Sequence, residues 1–396
     1  MELINQDFEF FLKTKIRFGK GLTRQLGSIL EEFKFKRPGF IIDGNLHDKL
    51  PWINELLLSF NHKFENVIIE IYREKFEPTY QYLDQLKYKF KNNKNPLVDC
   101  IVGIGGGSVL DAAKGIATLT TNHGNALEYR GFPSDLNPSL PIICVPSTAG
   151  TGSEIAFNAV FIDLSENKKL GINSPNNYPT LSILDPEIVA TAPKSVAISS
   201  GMDAIVHTLE SFVSTKSNFI TRVFAKEAFG LLVNNLPKLV DDMSNLDLWA
   251  KMQFGASFAM VSLSNSSSGP TGGLSYLLGT HFDVPHGIAG AVFIAKITRL
   301  NHDSGYHDYA DLYDQLDNRD PGLTDRIKRS EKVVETIELL TEKLEIPETL
   351  TVFGIDKEHY DMFYNYATQN LKAAFSFNPV HIDDHQIEML LKSLIK

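Results

Sequence analysis

The sequence predicts an α/β domain with a parallel sheet, followed by an all-α domain. Its 396 residues, 43% of them hydrophobic, are enough for two domains that each bury a core. Up to Ile188, short runs of β-branched and aliphatic residues alternate with longer stretches of helical spacing, which is typical of βαβ units. After Pro193, nearly every long segment has helical spacing alone. We therefore expect domains over residues 1–190 and 191–396, with a ligand site in the cleft between them.

Individual elements follow from the same patterns. Four apolar runs in the first half are predicted strands: Gly39–Ile42, Val67–Ile71, Cys100–Ile104 and Ile142–Val145. Helical segments that open at Leu22, Pro51 and Thr79 separate them, and residues 163–186 read as a hairpin or an irregular stretch. Four long segments of the second half are predicted helices: Val196–Ser214, Thr221–Leu236, Leu246–Ser264 and Arg329–Lys343.

Charge and cysteine content exclude several classes of protein. The formal net charge is -10 and the basic residues are scattered, so neither nucleic acid nor an anionic membrane is an expected partner. Cys100 and Cys144 lie in or beside predicted strands, where we expect buried, reduced thiols. The N-terminal residues lack the pattern of a signal peptide, and no apolar run approaches the ~20 residues of a membrane helix. We expect a cytoplasmic protein.

A glycine cluster follows the third predicted strand. Gly105, Gly106, Gly107 and Ser108 stand between that strand and a segment of helical spacing. Glycine lets the backbone approach a pyrophosphate closely, and a helix N-terminus offers free N–H groups and a partial positive charge. The cluster lacks the Gly-x-Gly-x-x-Gly spacing of a Rossmann fingerprint, so a purely structural turn is an equal alternative.

Two further features favour a dinucleotide. The segment after the fourth predicted strand is rich in hydroxyls and glycines, and Ser147, Thr148 and Thr151 suit ribose and phosphate contacts. Asp43 ends the first predicted strand, where a carboxylate can bind an adenosine ribose and repel a 2′-phosphate, which favours NAD over NADP. A small-residue surface loop and an ordinary helix cap are the respective alternatives.

One aspartate and two histidines have the pattern of metal ligands. Asp203 and His207 are four residues apart in an otherwise apolar segment, so they share one helix face. His286 stands between Pro285 and Gly287 at a predicted turn. One oxygen and two imidazoles suit Fe(II), Zn(II) or Mn(II), whereas an Asp–His hydrogen bond in a core is the alternative. The other histidines considered lack an apolar or glycine-rich frame and are expected at the surface: His302, His307, His381 and His385.

These motifs occur in the order found in the iron-containing alcohol dehydrogenases, and the chain resembles that family from Phe18 to the region of Glu388. The resemblance rests on the glycine cluster, the Pro-Ser-Thr-Ala-Gly-Thr-Gly-Ser-Glu loop, an Asp-Pro step, a Gly-Met-Asp-x-x-x-His segment and a Pro-His-Gly turn. It implies an N-terminal dinucleotide domain, a helical metal and substrate domain, and hydride transfer between an alcohol carbon and nicotinamide C4. An alcohol or aldehyde substrate and a homodimer are implied by the family alone.

The resemblance also implies roles for individual residues. Fe(II) or Zn(II) would be held by Asp203, His207 and His286, and it would polarise the substrate oxygen. The implied cofactor contacts come from the two loops, from Asp43, and from the segment after the glycine cluster: Gly105, Gly106, Gly107, Ser108, Asp111, Lys114, Ser147, Thr148 and Thr151.

Two positions depart from the family pattern. The pattern has a further metal histidine fourteen residues before His286, where this chain has Gly272, and a second histidine four residues on, where it has Tyr276. Tyr276 is a candidate catalytic residue, although the ordinary phenol pKa near 10 makes it a poor base at neutral pH. Three resolutions follow, in order of preference: a metal held by three residues, His281 as a replacement ligand or catalytic group, and a metal-free site.

The leading prediction is therefore a metal-dependent, NAD-dependent alcohol dehydrogenase. Gly272 and Gly273 are expected to leave volume for a polyol or sugar acid, as in a family branch resembling Kdo 8-oxidase, a sugar-acid alcohol oxidase. A lyase of the dehydroquinate synthase type is a weaker alternative, because no basic anion-binding set surrounds Asp203. An inactive paralogue that retains the cofactor is disfavoured by the presence of all three metal-ligand residues.

Overall fold

The computed structural model describes residues 7–74, 77–92, 95–166 and 168–396. The chain divides into two compact units. One comprises Leu12–Thr148 and Gly152–Ala192, and the other comprises Pro193–Lys396 with the segment up to Phe11 and Ala149–Thr151. Across the described residues, no helix is both long enough and apolar enough to span a bilayer.

A six-stranded sheet lies at the centre of the first unit, in the order β1-β8-β5-β4-β2-β3. Neighbouring strands are parallel throughout, which confirms the predicted sheet. The inner strands are buried along nearly their whole length, as parallel strands covered on both faces should be. The strands of this sheet are β1 Lys15–Phe18, β2 Pro38–Asp43, β3 Ile68–Tyr72, β4 Cys100–Gly105, β5 Ile142–Pro146 and β8 Leu181–Leu184. A separate antiparallel hairpin joins β6 Val160–Asp163 to β7 Lys168–Gly171.

The edge strand β1 was not predicted from the sequence. It pairs with β8 alone, and its side chains are exposed or half-buried. Lys15 and Arg17 alternate with Ile16 and Phe18, so the strand lacks a continuous apolar run. Short edge strands that carry charge resist unwanted pairing with other chains.

Helices cover both faces of the sheet and build one apolar core on each. Ile41 belongs to one core and its neighbours Phe40 and Ile42 to the other, as the alternation of a strand requires. The helix predicted from Leu22 begins as a 3-10 turn, Leu22–Gln25, and continues as α1. The helices of this unit are α1 Leu26–Glu32, α2 Gly44–Lys49, α3 Pro51–Phe60, α4 Tyr80–Phe90, α5 Gly107–Thr121 and α6 Pro186–Val189.

The described residues of the second unit form helices and no strand, which confirms the predicted all-helical character. Its helices are α7 Lys194–Val213, α8 Phe219–Asp241, α9 Leu246–Ser264, α10 Pro270–Phe282, α11 His286–Asp303, α12 Arg326–Lys343, α13 Tyr360–Asn365, α14 Lys372–Ser376 and α15 Asp384–Leu394. A π-helical turn, Tyr366–Asn370, lies between α13 and α14. The chain leaves α12 through Glu345, whose φ of 56° is in the left-handed region.

The expectation that His302 lies at the surface is wrong. The residue is 7% exposed, near the end of α11, because this face of the helix packs on α12. Its Nδ1 lies 2.8 Å from Ser330 Oγ and its Nε2 lies 2.8 Å from Glu331 Oε2. His302 therefore holds α11 to α12, whereas His381 and His385 are exposed as expected.

Candidate metal centre and cofactor loops

Asp203, His207 and His286 come together within the helical unit. Their candidate ligand atoms all lie within 4.8 Å of one another, and Asp203 Oδ1 is 3.7 Å from Nε2 of each histidine. Asp203 is 5% exposed, and among the described residues no lysine or arginine lies within ion-pair distance of it. The sequence prediction brought together the residues that the fold brings together.

Two local features produce this convergence. Asp203 and His207 are one turn apart on α7, so both side chains leave the same face of the helix. His286 is the first residue of α11, and Gly287 after it packs directly on α7. A Cβ at Gly287 would lie 1.8 Å from the backbone oxygen of Ser199, so only glycine permits this approach. The Pro-His-Gly turn thus places His286 opposite Asp203.

The geometry suits a divalent ion better than direct hydrogen bonding. A separation of 3.7 Å is too long for an N–H···O hydrogen bond between Asp203 and either histidine. Two ligand bonds of ~2.1 Å at a tetrahedral angle place their donor atoms roughly 3.4 Å apart, close to the observed spacing. A buried carboxylate with two imidazoles is also a donor set that Fe(II) and Zn(II) accept. The residues present fit a three-ligand metal centre.

Gly272 does not leave an open vacancy. A Cβ added there would lie 2.4 Å from Ser268 Oγ and 3.0 Å from Glu210 Oε2. At Gly273, a Cβ would lie 2.9 Å from a methyl carbon of Leu371. The expectation that these glycines provide room for a bulky substrate is therefore wrong, because neighbouring side chains already occupy the space.

Tyr276 and His281 lie on the same helix, α10, in different surroundings. The ring of Tyr276 packs against that of His286, with 5.2 Å between centroids. Burial, and then the neighbouring Tyr276 phenol, raise the pKa of Tyr366. His281 is exposed, its Nδ1 lies 2.8 Å from Thr280 Oγ1, and it is not part of the metal-competent group. The structure brings Tyr276, and not His281, to the ligand group.

In the α/β unit, the glycine cluster forms the turn from β4 into α5. Gly106 is the N-cap residue of α5 and supplies no side chain to the first turn. The second loop begins beside it, because Ser147 N–H donates to Gly105 O at 2.9 Å, and a Cβ at Gly106 would lie 3.5 Å from Thr148 Cγ2. A helix N-terminus with uncapped N–H groups and a small-residue approach suits a pyrophosphate.

Asp111 and Lys114 form a buried polar group with Ser153. Lys114 is fully buried, and its Nζ donates to Ser153 Oγ at 2.7 Å and to Asn158 O at 2.8 Å. Ser153 Oγ donates to Asp111 Oδ1 at 2.6 Å. Burial raises the pKa of Asp111, and the charge of Lys114 with hydrogen bonds from Ser153 and Val160 opposes that rise. In this arrangement both charged groups fix the segment after β5.

Asp43 stands at the carboxyl end of β2, where its Oδ1 accepts the Asn45 N–H at 2.7 Å and caps α2. One carboxylate oxygen of Asp43 therefore acts as a helix cap, which was the alternative interpretation of this residue. Asp185, from the Asp-Pro step, is 1% exposed and accepts hydrogen bonds from Gly21 N–H, Thr23 N–H and Thr23 Oγ1. This aspartate links the end of β8 to the turn after β1.

Two family models together match most of the chain. The model described as iron-containing alcohol dehydrogenase covers residues 13–186, and that of the C-terminal domain of the Fe-containing alcohol dehydrogenase family covers residues 197–395. The chain belongs to the iron-containing alcohol dehydrogenase family. The resemblance inferred from the sequence is therefore confirmed.

Relatives within the iron-containing alcohol dehydrogenase family support the same assignment. The 1,3-propanediol dehydrogenase of Klebsiella pneumoniae is 30% identical over 74% of this chain and 75% of its own length. Alcohol dehydrogenase 4 of Schizosaccharomyces pombe is 27% identical over 97% of this chain and 88% of its own length. A crystal structure of 1,3-propanediol oxidoreductase superposes with a TM-score of 0.88 at 25% identity, over 98% of this chain and 99% of that one. The protein is an oxidoreductase of the alcohol dehydrogenase type.

The sequence analysis did not identify two residues near Asp203, His207 and His286. Glu210, on α7, is 4% exposed, and Ser268 precedes α10; Ser268 Oγ donates to Glu210 Oε2 at 2.7 Å. Glu210 lies three residues after His207 and seven after Asp203, so the helical period places all three on one face of α7, and this pattern can be read from the sequence. Its partners on α10 depend on how the helices pack and could not be read from spacing.

Proposed function

We propose that the protein oxidises small alcohols or reduces the corresponding aldehydes with NAD, at a centre where Asp203, His207 and His286 hold Fe(II) or Zn(II). The observation that carries the proposal is the convergence of these three side chains at a spacing suited to one divalent ion. Such an ion supplies a Lewis acid for the substrate oxygen. Relatives named 1,3-propanediol dehydrogenase and NAD-dependent methanol dehydrogenase support small alcohols as the substrate class.

The chain's own residues provide the remaining functions. The turn at Gly106 and the loop through Thr148 bind the cofactor phosphates and ribose through backbone N–H groups and hydroxyls. We assign the proton-transferring role to Tyr276, because its ring lies against that of His286. His281 is exposed and paired with Thr280, so it is not assigned a part in the reaction.

Elemental analysis of the protein purified without chelators tests the metal centre. We expect about one iron or zinc per chain in the wild type and none in Asp203→Asn, which keeps the side-chain shape but weakens the ligand. Glu227→Gln, at an exposed position of α8, is the matched control and should keep both metal and activity. Wild-type protein that holds no metal yet turns over alcohols, or Asp203→Asn with full metal content, would refute the proposal.

The choice of NAD rests on Asp43, whose carboxylate would repel a 2′-phosphate. Asp43→Asn keeps a residue that caps α2 well but removes the charge. We expect this variant to retain its stability and to narrow the ratio of kcat/KM with NAD to that with NADP by about tenfold. An unchanged ratio would show that Asp43 does not select the cofactor.

We also propose a homodimer, on the family resemblance. Light scattering at several protein concentrations tests the dimer, and a concentration-independent monomer mass would refute it.

A further inference from the structure

Glu210 is a buried carboxylate on α7. It is 4% exposed, and among the described residues no lysine, arginine or histidine lies within ion-pair distance. Two donors satisfy it: Ser268 Oγ at 2.7 Å from Oε2, and the backbone N–H of Gly272 at 3.1 Å from Oε1. Because an unpaired buried charge is costly, some other favourable electrostatic interaction must stabilise Glu210.

The first turn of α10 provides that interaction. Gly272 is the third residue of α10, and the N-cap residue Gly269 has no side chain with which to cap the helix. The free N–H groups of a first turn carry a partial positive charge that favours an adjacent carboxylate. Glu210 is therefore a cap for α10 that is supplied by another helix, α7.

On both α7 and α10, the residues that form this cap are close in sequence to residues at the candidate metal centre. Glu210 is three residues after His207 on α7, so the two side chains are neighbours on one face. On α10, Tyr276 is one turn beyond Gly272 and packs against His286. The bond from Gly272 to Glu210 thus fixes α10 at the point where both helices contribute to the site.

The same contacts leave no room for a side chain at position 272. A Cβ there would lie 2.4 Å from Ser268 Oγ, so the hydroxyl would have to turn away and give up Glu210. Ser268 is exposed and can find water, but Glu210 would lose one of its two donors. Even then, the new carbon would remain 3.0 Å from Glu210 Oε2, which is tighter than most Cβ contacts.

We propose that Glu210 and Ser268 occupy the position of the family's fourth metal ligand in this chain and stabilise the centre without binding the metal. Glu210 acts as a positioning residue that caps α10 and holds Tyr276 and His286 in register with α7. Ser268 completes the cap and keeps position 272 free of a side chain, so the centre has three protein ligands. This inference rests on the proposed metal dependence, and its first test is made without metal so that the two can fail separately.

Thermal unfolding of the metal-free protein tests whether position 272 has room for a side chain. Gly272→Ala should lower the unfolding midpoint by about 2–4 °C, although alanine normally stabilises a helix relative to glycine. Gly279→Ala is the matched control on the same helix, because its Cβ would have its nearest neighbour at 3.7 Å, an ordinary contact. The loss from Gly272→Ala should shrink in a Ser268→Gly background. Equal behaviour of Gly272→Ala and Gly279→Ala would overturn the inference.

Metal affinity, measured by competition with a chelator, tests the positioning role. Glu210→Gln keeps the side-chain shape and removes the charge, and it should weaken metal binding about tenfold, while Glu227→Gln should not. Gly272→His alone should not tighten metal binding, whereas Gly272→His combined with Ser268→Gly should tighten it at least about tenfold relative to Ser268→Gly. Tighter binding by Gly272→His alone, or a Glu210→Gln affinity equal to that of Glu227→Gln, would overturn the inference. A wild-type protein that binds no metal would refute the proposed function. The unfolding comparison would still show whether position 272 can accept a side chain.

Discussion

Replacing Gly287 by alanine should separate the two helices that carry the metal-ligand group. The added Cβ would lie 1.8 Å from Ser199 O, whereas ordinary contact begins at 3.4 Å. The Ser199 carbonyl belongs to the backbone of α7 and cannot rotate away as a side chain can. The first turn of α11 must therefore move by about 1.6 Å, the difference between these two distances.

The expected magnitude has two parts. Overpacking of this kind costs about 1–3 kcal/mol, and the better helix propensity of alanine offsets at most about 1 kcal/mol of it. With the full offset, the net free energy of unfolding should fall by up to about 2 kcal/mol. His286 precedes Gly287 and moves with it, so its 3.7 Å separation from Asp203 widens beyond what two ligand bonds of ~2.1 Å span comfortably. Metal affinity should fall more than about tenfold.

The assay combines metal content after dialysis with thermal unfolding of the metal-free protein. Gly290→Ala is the matched control on the same helix, since its nearest contact would be a side-chain methyl carbon of Val206 at 3.0 Å and not a backbone atom at 1.8 Å. If Gly287→Ala keeps wild-type metal content and unfolds no earlier than Gly290→Ala, the close approach of α11 to α7 does not hold His286 in place.

Two other predictions concern stability and reactivity. Glu345→Gly should raise the free energy of unfolding by about 1 kcal/mol, because the residue after α12 has a left-handed φ of 56° that suits glycine; an unchanged denaturation midpoint would contradict this. Burial raises the pKa of the Cys144 thiol to about 12 and that of Cys100 well above its usual value. A thiol reagent at pH 8 should therefore label neither residue in the folded protein and both after unfolding, and labelling of the folded protein would show that the sheet core opens.

The strands of the sheet could be predicted where both of their faces are buried. β4 and β5 are covered on both faces, so every position favours an apolar residue and the strands stand out as continuous runs. β1 is an edge strand with charged residues at alternate positions, and its pairing with β8 is a long-range contact that local patterns do not encode. His302 was misjudged for a similar reason, because its partners on α12 are distant in sequence.

The convergence of Asp203, His207 and His286 was predictable because chemistry and periodicity agreed. A carboxylate and an imidazole one turn apart on an apolar face require an explanation, and a metal supplies one. The glycines at 272 and 273 were interpreted as empty space, since a sequence shows which side chain is absent but not which neighbour fills the gap. Ser268, from the segment just before α10, and Leu371, from a distant part of the chain, fill it here.

The buried ammonium group of Lys114 anchors residues 153–158 between β5 and β6. This group is bonded to Ser153 Oγ and Asn158 O inside the protein, so these contacts form as the α/β unit folds. A nucleotide bound beside this segment, as proposed above, would meet a surface whose conformational entropy has already been lost, and less of its interaction energy would be spent on ordering. Below the unfolding transition, this segment should therefore be equally ordered with and without nucleotide.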